Sequence, residues 1–203
     1  MASILTSLGR TVFAGFVLLA LIILALGGNF SSAELPFVFR WLHVMFGVMW
    51  IGLLWYFNFV QIPSMPKIPD EQKPAIGKVI APTALFWFRW AALFTVITGL
   101  IVATLNGYVH QAMTLQAPFR PIGLGMWIAL VMAFNVWFII WPNQKRALGI
   151  VTVEADVKAK SARVAMLTSR LNTLLSIPML FLMVAQSHNT TWFIIDVIAP
   201  VVQ

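Results

Sequence analysis

The chain has 203 residues, of which 61% are apolar and only 9% are charged. Soluble domains carry about 25% charged residues, so this composition excludes an ordinary soluble protein and indicates one integral membrane domain over residues 1–203. Cysteine is absent, which excludes disulfides, thiolate metal sites and the paired cysteines that attach a c-type haem. The net charge of +7 does not indicate a nucleic-acid partner, because the 13 basic residues are scattered along a mostly apolar chain.

Five apolar segments are long enough to cross a hydrocarbon core about 30 Å thick, which requires roughly 20 helical residues. In chain order they lie at about 11–28, 37–62, 80–105, 122–141 and 161–187. The first has the basic start of a signal peptide but no convincing cleavage site, so we expect it to be retained. Residues 188–203 are too few to span and predict a short interfacial tail. The sequence therefore predicts an all-α polytopic membrane protein, a bundle of about five transmembrane helices.

The basic residues predict how these helices are oriented. Between the second and third segments, four prolines predict an irregular cytoplasmic loop at 63–78. Ten basic residues fall on the side of the N-terminus, namely Arg10, Lys67, Lys73, Lys78, Lys145, Arg146, Lys158, Lys160, Arg163 and Arg170. Arg40 and Arg120 fall on the opposite side. Because cytoplasmic loops are rich in lysine and arginine, we expect a cytoplasmic N-terminus and a periplasmic C-terminus in a bacterial inner membrane.

With this topology, the histidines collect in the outer half of the membrane and the outer loops. His43 and Met126 fall at similar depth in two helices, and His188 follows the outer end of the fifth. Imidazole is a common haem ligand, so His43 is a candidate iron ligand of haem b, with Met126 or His188 as its partner. Gly47, one turn from His43, would leave room for a flat macrocycle. In the alternative interpretation His43 hydrogen-bonds a neighbouring helix and Gly47 permits close packing.

A second polar layer is predicted nearer the cytoplasm, around Arg89. An arginine within a span costs at least about 2.5–3.5 kcal/mol unless it finds partners or water. Asn58, Asn135 and Asn172 fall at comparable depth in three other helices. The cluster could brace the helices, or it could bind an anionic group through the planar guanidinium. The residues favour these two interpretations about equally.

Five tryptophans fall deep in the predicted spans. They are Trp50, Trp55, Trp87, Trp90 and Trp137. They could line a cofactor or quinone pocket, but we expect them to pack toward lipid.

Four stretches within residues 37–187 carry a family resemblance. They are RWLHVMFGVMWIGLLWYFNFVQIP (40–63), APTALFWFRWAALFTVITGL (81–100), NVWFIIWPNQKRALG (135–149) and SRLNTLLSIPMLFLMV (169–184). They resemble the membrane domain of PuuD-type urate hydroxylases, the urate oxidase N-terminal family. The resemblance implies oxidation of urate, with electrons passing to a fused cytochrome c domain. Since cysteine is absent, we expect that domain to be missing and a separate cytochrome or quinone to accept the electrons.

A looser similarity connects the R-W-L-H…G…W-I-G pattern to HemJ-type protoporphyrinogen oxidases and CopD-type copper proteins. It implies that His43 ligates haem b, and it places Met126 where the HemJ type has a lysine ligand. The leading hypothesis is a redox membrane protein of the urate-hydroxylase type, an oxidoreductase if it is an enzyme. The alternative is a non-catalytic accessory subunit of a larger respiratory or photosynthetic complex. A third interpretation is copper handling by His43, Met45 and Met49.

Overall fold

A computed structural model of the chain describes residues 2–28 and 31–188. Within these ranges the chain is helical and contains no strand, which confirms the all-α prediction. The chain divides into two compact units, Met1–Leu35 and Pro36–Gln203. Of the predicted tail at 188–203, all residues except His188 lie outside the described part.

Among the described residues, five helices are long and apolar enough to cross a membrane, as predicted, so this is a multi-pass membrane protein. We number them α1 (Leu8–Ala25), α2 (Ser32–Lys67), α3 (Lys73–Leu105), α4 (Arg120–Ala147) and α5 (Ala155–Ser187). In the first unit, a short helix at Ala2–Leu5 precedes α1. No residue of α1 is buried within the protein.

In the second unit, a short helix at Val109–Met113 lies between α3 and α4. The core of the second unit is built on large side chains that are fully buried, namely Trp50 and Leu54 of α2, Phe88 of α3, and Met132 and Val136 of α4. Met179 of α5 packs against the same cluster. Most other large apolar side chains are exposed, as expected where helices face lipid.

The predicted irregular loop at 63–78 is largely helical in the structure. The non-helical link between α2 and α3 is confined to residues 68–72. Pro74 occupies the first turn of α3, whereas Pro63 and Pro66 lie in the last turns of α2. The first turn tolerates proline because its N–H groups have no partner within the helix. The prediction was wrong because it counted these prolines as breakers without considering their position in a turn.

Three helices contain a wider π-helical turn. These turns are Tyr56–Gln61 in α2, Ile76–Ile80 in α3 and Asn135–Ile140 in α4. All three lie toward the end of the four-helix unit where the 68–72 and 148–154 links also lie. Lys67, Lys73, Lys78, Lys145 and Arg146 belong to this end, which we call the basic end. The opposite end carries His43 and His188, and we call it the histidine end.

Candidate functional site

A cavity of about 790 Å³ occupies the histidine end of the second unit. All four helices of the unit contribute to its wall: His43 and Trp50 from α2, Thr95 and Gly99 from α3, Met126 from α4, and Met183 and His188 from α5. Pockets for small molecules and cofactors usually measure about 300–1,000 Å³ and have mostly apolar walls with a few polar groups. The three candidate ligands His43, Met126 and His188 therefore line one cavity of cofactor size.

His43 is fixed by a hydrogen bond from its Nδ1 to the backbone carbonyl of Thr95, at 2.8 Å. With Nδ1 carrying the proton, Nε2 has a free lone pair, and it makes no hydrogen bond within the described residues. Histidines that bind metals are usually held in this way, since the second ring nitrogen donates to a carbonyl or carboxylate. The arrangement combines both interpretations of the sequence, because His43 bonds a neighbouring helix and still presents a free nitrogen.

Gly99 and Thr95 are parts of this site that the sequence interpretation missed. A Cβ atom on Gly99 would lie 2.8 Å from His43 Cε1 and 3.0 Å from Nδ1, so only glycine lets the ring lie here without moving. Thr95 and Gly99 are spaced four apart, which is the small-xxx-small pattern of closely approaching membrane helices. That spacing could have indicated the contact, although it does not say which helix approaches.

The two candidate partners of His43 differ in their surroundings. His188 ends α5, is exposed, and donates from Nδ1 to the Val184 carbonyl at 2.9 Å. Its Nε2 is therefore also the nitrogen with a free lone pair. Met126 is buried in α4 and packs with Ala103 and Ala112. Both side chains line the cavity.

Two buried polar atoms in the cavity wall have no hydrogen-bond partner among the described residues. They are Nε1 of Trp50, whose side chain is 0% exposed, and Oε1 of Gln186. A buried polar group without a partner is costly, so both are available to a polar ligand. Arg40 and Tyr108 also line the cavity. Burial raises the pKa of Tyr108 and the charge of Arg40 partly offsets this, so the phenol stays neutral at pH 7.

The expectation that deep tryptophans pack toward lipid was wrong for Trp50, which is fully buried in the cavity wall. Trp55 also lines the cavity and donates from Nε1 to Ser176 Oγ at 3.0 Å. Trp87, in contrast, is 51% exposed. Its position along a helix does not indicate which way a tryptophan points, because these helices carry apolar residues on all their faces.

Three of the four residues of the predicted polar layer bond other helices, in three separate contacts. Asn135 donates to Oδ1 of Asn172 at 2.8 Å, and Asn172 donates to the Met132 carbonyl at 2.9 Å, which joins α4 to α5. Asn58 donates to Ser169 Oγ at 2.8 Å, which joins α2 to α5. The amides therefore connect three helices, as a bracing role requires.

Arg89 contacts tryptophans instead of these amides. Its guanidinium carbon lies 3.3 Å from the ring centre of Trp141, and its backbone carbonyl accepts a hydrogen bond from Trp137 Nε1 at 3.2 Å. Nε and Nη1 are buried and have no hydrogen-bond partner among the described residues. The ring face stabilises a cation that pairs with no carboxylate of the described residues.

The fold and this cavity define a multi-pass helical membrane protein with a large intramembrane pocket. Residues 101–200 match the family model described as urate oxidase N-terminal, which confirms the family resemblance over that part of the chain. The matched range contains Met126 and His188, whereas His43 and Gly99 precede it. No curated protein and no solved structure matches the chain. The looser similarity to the HemJ and CopD types stays a prediction.

No group of three or more histidine, aspartate or glutamate side chains within the described ranges could hold a metal ion. The copper-handling interpretation stays a prediction, since it also invoked Met45 and Met49.

Proposed function

We propose that this urate-oxidase-related membrane protein binds haem b in the cavity at the histidine end, with Nε2 of His43 as one axial ligand. The observation that carries the proposal is the His43 ring, whose Nδ1 is held by the Thr95 carbonyl while the ring lines a cavity of about 790 Å³. Nε2 is left with the free lone pair that iron requires.

The remaining wall of the cavity suits a flat apolar macrocycle with anionic substituents. Gly47 and Gly52 line the α2 side, and no atom lies closer than 3.9 Å to a Cβ built on Gly47. Arg40 adds a positive charge that complements the carboxylates of haem. Trp50 Nε1 can donate to a ligand oxygen. When bound, haem would supply a one-electron redox couple tuned by its axial ligands.

Within this proposal the protein is an oxidoreductase of the bacterial inner membrane that passes electrons from a substrate to a separate cytochrome or quinone. The family match supports urate as the substrate to test first. The cofactor, the electron acceptor and the substrate are all parts of the proposal.

The test is the absorption spectrum of the protein purified from haem-supplemented cells, before and after dithionite. We expect a Soret band and sharp reduced α and β bands, and we expect His43→Ala to lose them while still inserting. His110→Ala is the matched control, because His110 is exposed and lies in the short helix at Val109–Met113. A featureless wild-type spectrum would overturn the proposal and favour the accessory-subunit alternative.

Two further variants identify the second axial ligand. His188→Ala and Met126→Leu each remove one candidate and leave the other. The variant that lacks the real ligand should convert a low-spin six-coordinate spectrum to a high-spin one, whereas the other should keep the wild-type bands. If both variants keep them, neither residue is the second ligand.

A further inference from the structure

The guanidinium of Arg89 and the ammonium of Lys145 share the ring of Trp141. The Arg89 guanidinium carbon lies 3.3 Å from the ring centre, and Lys145 Nζ lies 5.6 Å from it. Trp141 and Lys145 are four residues apart on α4, so they occupy the same helix face. One aromatic ring therefore contacts two positive groups, which come from two helices.

The Arg89 side chain extends toward the basic end. Trp137 Nε1 donates to the Arg89 backbone carbonyl, which places Trp137 level with the Arg89 backbone. Trp141 lies about one turn nearer the end of α4, and Lys145 one turn beyond that. Because the guanidinium lies over Trp141, it has moved from the depth of its own backbone toward the membrane surface. Long basic side chains within a membrane span snorkel toward the surface in this way.

This pair of charges lacks a protein anion. In the part of the chain that the structure describes, neither Arg89 nor Lys145 forms an ion pair, and Nε and Nη1 of Arg89 have no hydrogen-bond partner. A ring face offers a cation favourable electrostatics but accepts no directed N–H bonds of the kind that an oxyanion accepts. No anion of the described residues uses the donors of Arg89, and an external anion would reach the buried Nε and Nη1 once the side chain turns toward the surface.

The two helices that carry the pair favour a lipid as the source of that anion. Trp87 is 51% exposed and Phe138 is 68% exposed, and both belong to helices long and apolar enough to cross a membrane. Such surfaces contact acyl chains. Basic pockets between transmembrane helices recognise anionic headgroups in this way.

We propose that Arg89 and Lys145 bind the phosphate of an anionic phospholipid against Trp141, between α3 and α4 at the basic end. Arg89 presents its planar fork to the phosphate oxygens, and Lys145 adds a second charge. The site is separate from the cavity at the histidine end, so it does not depend on haem binding.

The test uses the full chain in mixed micelles that contain phosphatidylglycerol or, as the zwitterionic reference, phosphatidylcholine. Lipid affinity is obtained from the shift in thermal unfolding as lipid is titrated. We expect phosphatidylglycerol to stabilise the wild type, and Lys145→Gln to bind it about fivefold more weakly, the factor that corresponds to about 1 kcal/mol per basic residue at an anionic surface. Arg89→Lys keeps the charge in the membrane and loses the fork, so we expect it also to bind more weakly.

Arg146→Gln is the matched control, because it removes the same charge from the neighbouring position, whose side chain is exposed. We expect it to keep wild-type affinity. Equal losses of affinity for phosphatidylglycerol in Lys145→Gln and Arg146→Gln would indicate only a diffuse basic surface and would overturn the proposal.

Inorganic phosphate is the second probe. Stabilisation by inorganic phosphate that matches that by phosphatidylglycerol would also overturn it, in favour of a site for free phosphate.

Discussion

The contact between His43 and Gly99 shows how one missing side chain can determine the chemistry of another. The imidazole of His43 occupies the space where a Cβ on Gly99 would lie. From there its Nδ1 donates a hydrogen bond to the carbonyl of Thr95, which lies on α3 together with Gly99. Glycine weakens a helix by about 0.5–1 kcal/mol relative to alanine, so α3 gives up some stability at this position. In return the histidine ring has a fixed orientation and a defined tautomer.

Gly99→Ala should separate stability from cofactor binding. The added methyl group forces the ring away from α3 and breaks its bond to Thr95, while the helix gains propensity. We expect the melting temperature to change little, since the two effects oppose each other, and haem content to fall several-fold. The measurement is haem per protein beside thermal unfolding in detergent.

Gly77→Ala is the control for Gly99→Ala, because it lies in the same helix and its Cβ would meet only Leu148 Cδ2, at 3.9 Å. It should retain its haem. Unchanged haem content and spectrum in Gly99→Ala would contradict the role given to the His43 ring.

At the residue scale, the sequence indicated His43 as a candidate ligand but did not indicate which groups surround it. An ionisable side chain in an apolar span is visible from the sequence alone. The Thr95 carbonyl and Gly99 lie more than 50 positions further along the chain, and only the packing of α2 on α3 brings them together. The prediction for Arg89 was limited in the same way. Its depth along the helix indicated the asparagines as partners, whereas the direction in which its side chain points brings it to Trp141.

At the scale of elements, α4 and α5 are joined by a pair of buried amides. Asn172 is 0% exposed, accepts a hydrogen bond from Asn135 and donates one to the Met132 carbonyl. Asn135 begins the π-helical turn of α4, so the contact ties that turn to α5. Hydrogen bonds within membranes contribute on average about 0.6 kcal/mol each, which makes this contact a modest but specific brace.

Asn172→Leu should therefore destabilise the protein by about 1 kcal/mol, because it removes two hydrogen bonds and leaves the side-chain N–H group of Asn135 without its partner. The measurement is the apparent melting temperature in detergent at a fixed heating rate. Asn143→Leu is the control, because Asn143 bonds the Ile139 carbonyl of its own helix and joins no others. An Asn172→Leu protein as stable as the control would show that the amides do not brace the helices.

The helices themselves were predictable because each contains enough consecutive apolar residues to cross a bilayer. The ends of the helices were less predictable, since the polar extensions of a membrane helix resemble loops in composition. α5 begins at Ala155 whereas its apolar part begins near residue 161, and α2 continues through Pro63 to Lys67. Composition identifies where a helix leaves the hydrocarbon but does not identify where it ends.

At the scale of the whole molecule, the two ends of the four-helix unit differ in charge. The basic end collects most lysines and arginines, while the large cavity lies at the other end. The positive-inside rule therefore predicts that the cavity lies toward the periplasm and that the Arg89 site lies toward the cytoplasm.

The absence of native cysteine makes this prediction simple to test. Single variants Glu71→Cys, in the link between α2 and α3, and Gln116→Cys, between the short helix and α4, both place the thiol at an exposed position. A membrane-impermeant maleimide added to intact spheroplasts should label Gln116→Cys, and should label Glu71→Cys only after lysis. Labelling of Glu71→Cys alone in intact spheroplasts would invert the topology, and equal labelling of both would mean that α3 does not cross the membrane.

The three π-helical turns have a consequence for how the length of this chain can change over evolution. Each turn closes with hydrogen bonds five residues apart instead of four, so it holds one residue more than an α-helical turn. Removing one residue there would restore an α-helical turn and leave the faces on both sides in place. Removing one elsewhere would rotate half of the helix by about 100°. We therefore expect single-residue insertions and deletions among homologues to concentrate at 56–61, 76–80 and 135–140. At these turns a helix can change in length while its two parts, toward the histidine end and toward the basic end, keep the same faces toward their neighbours.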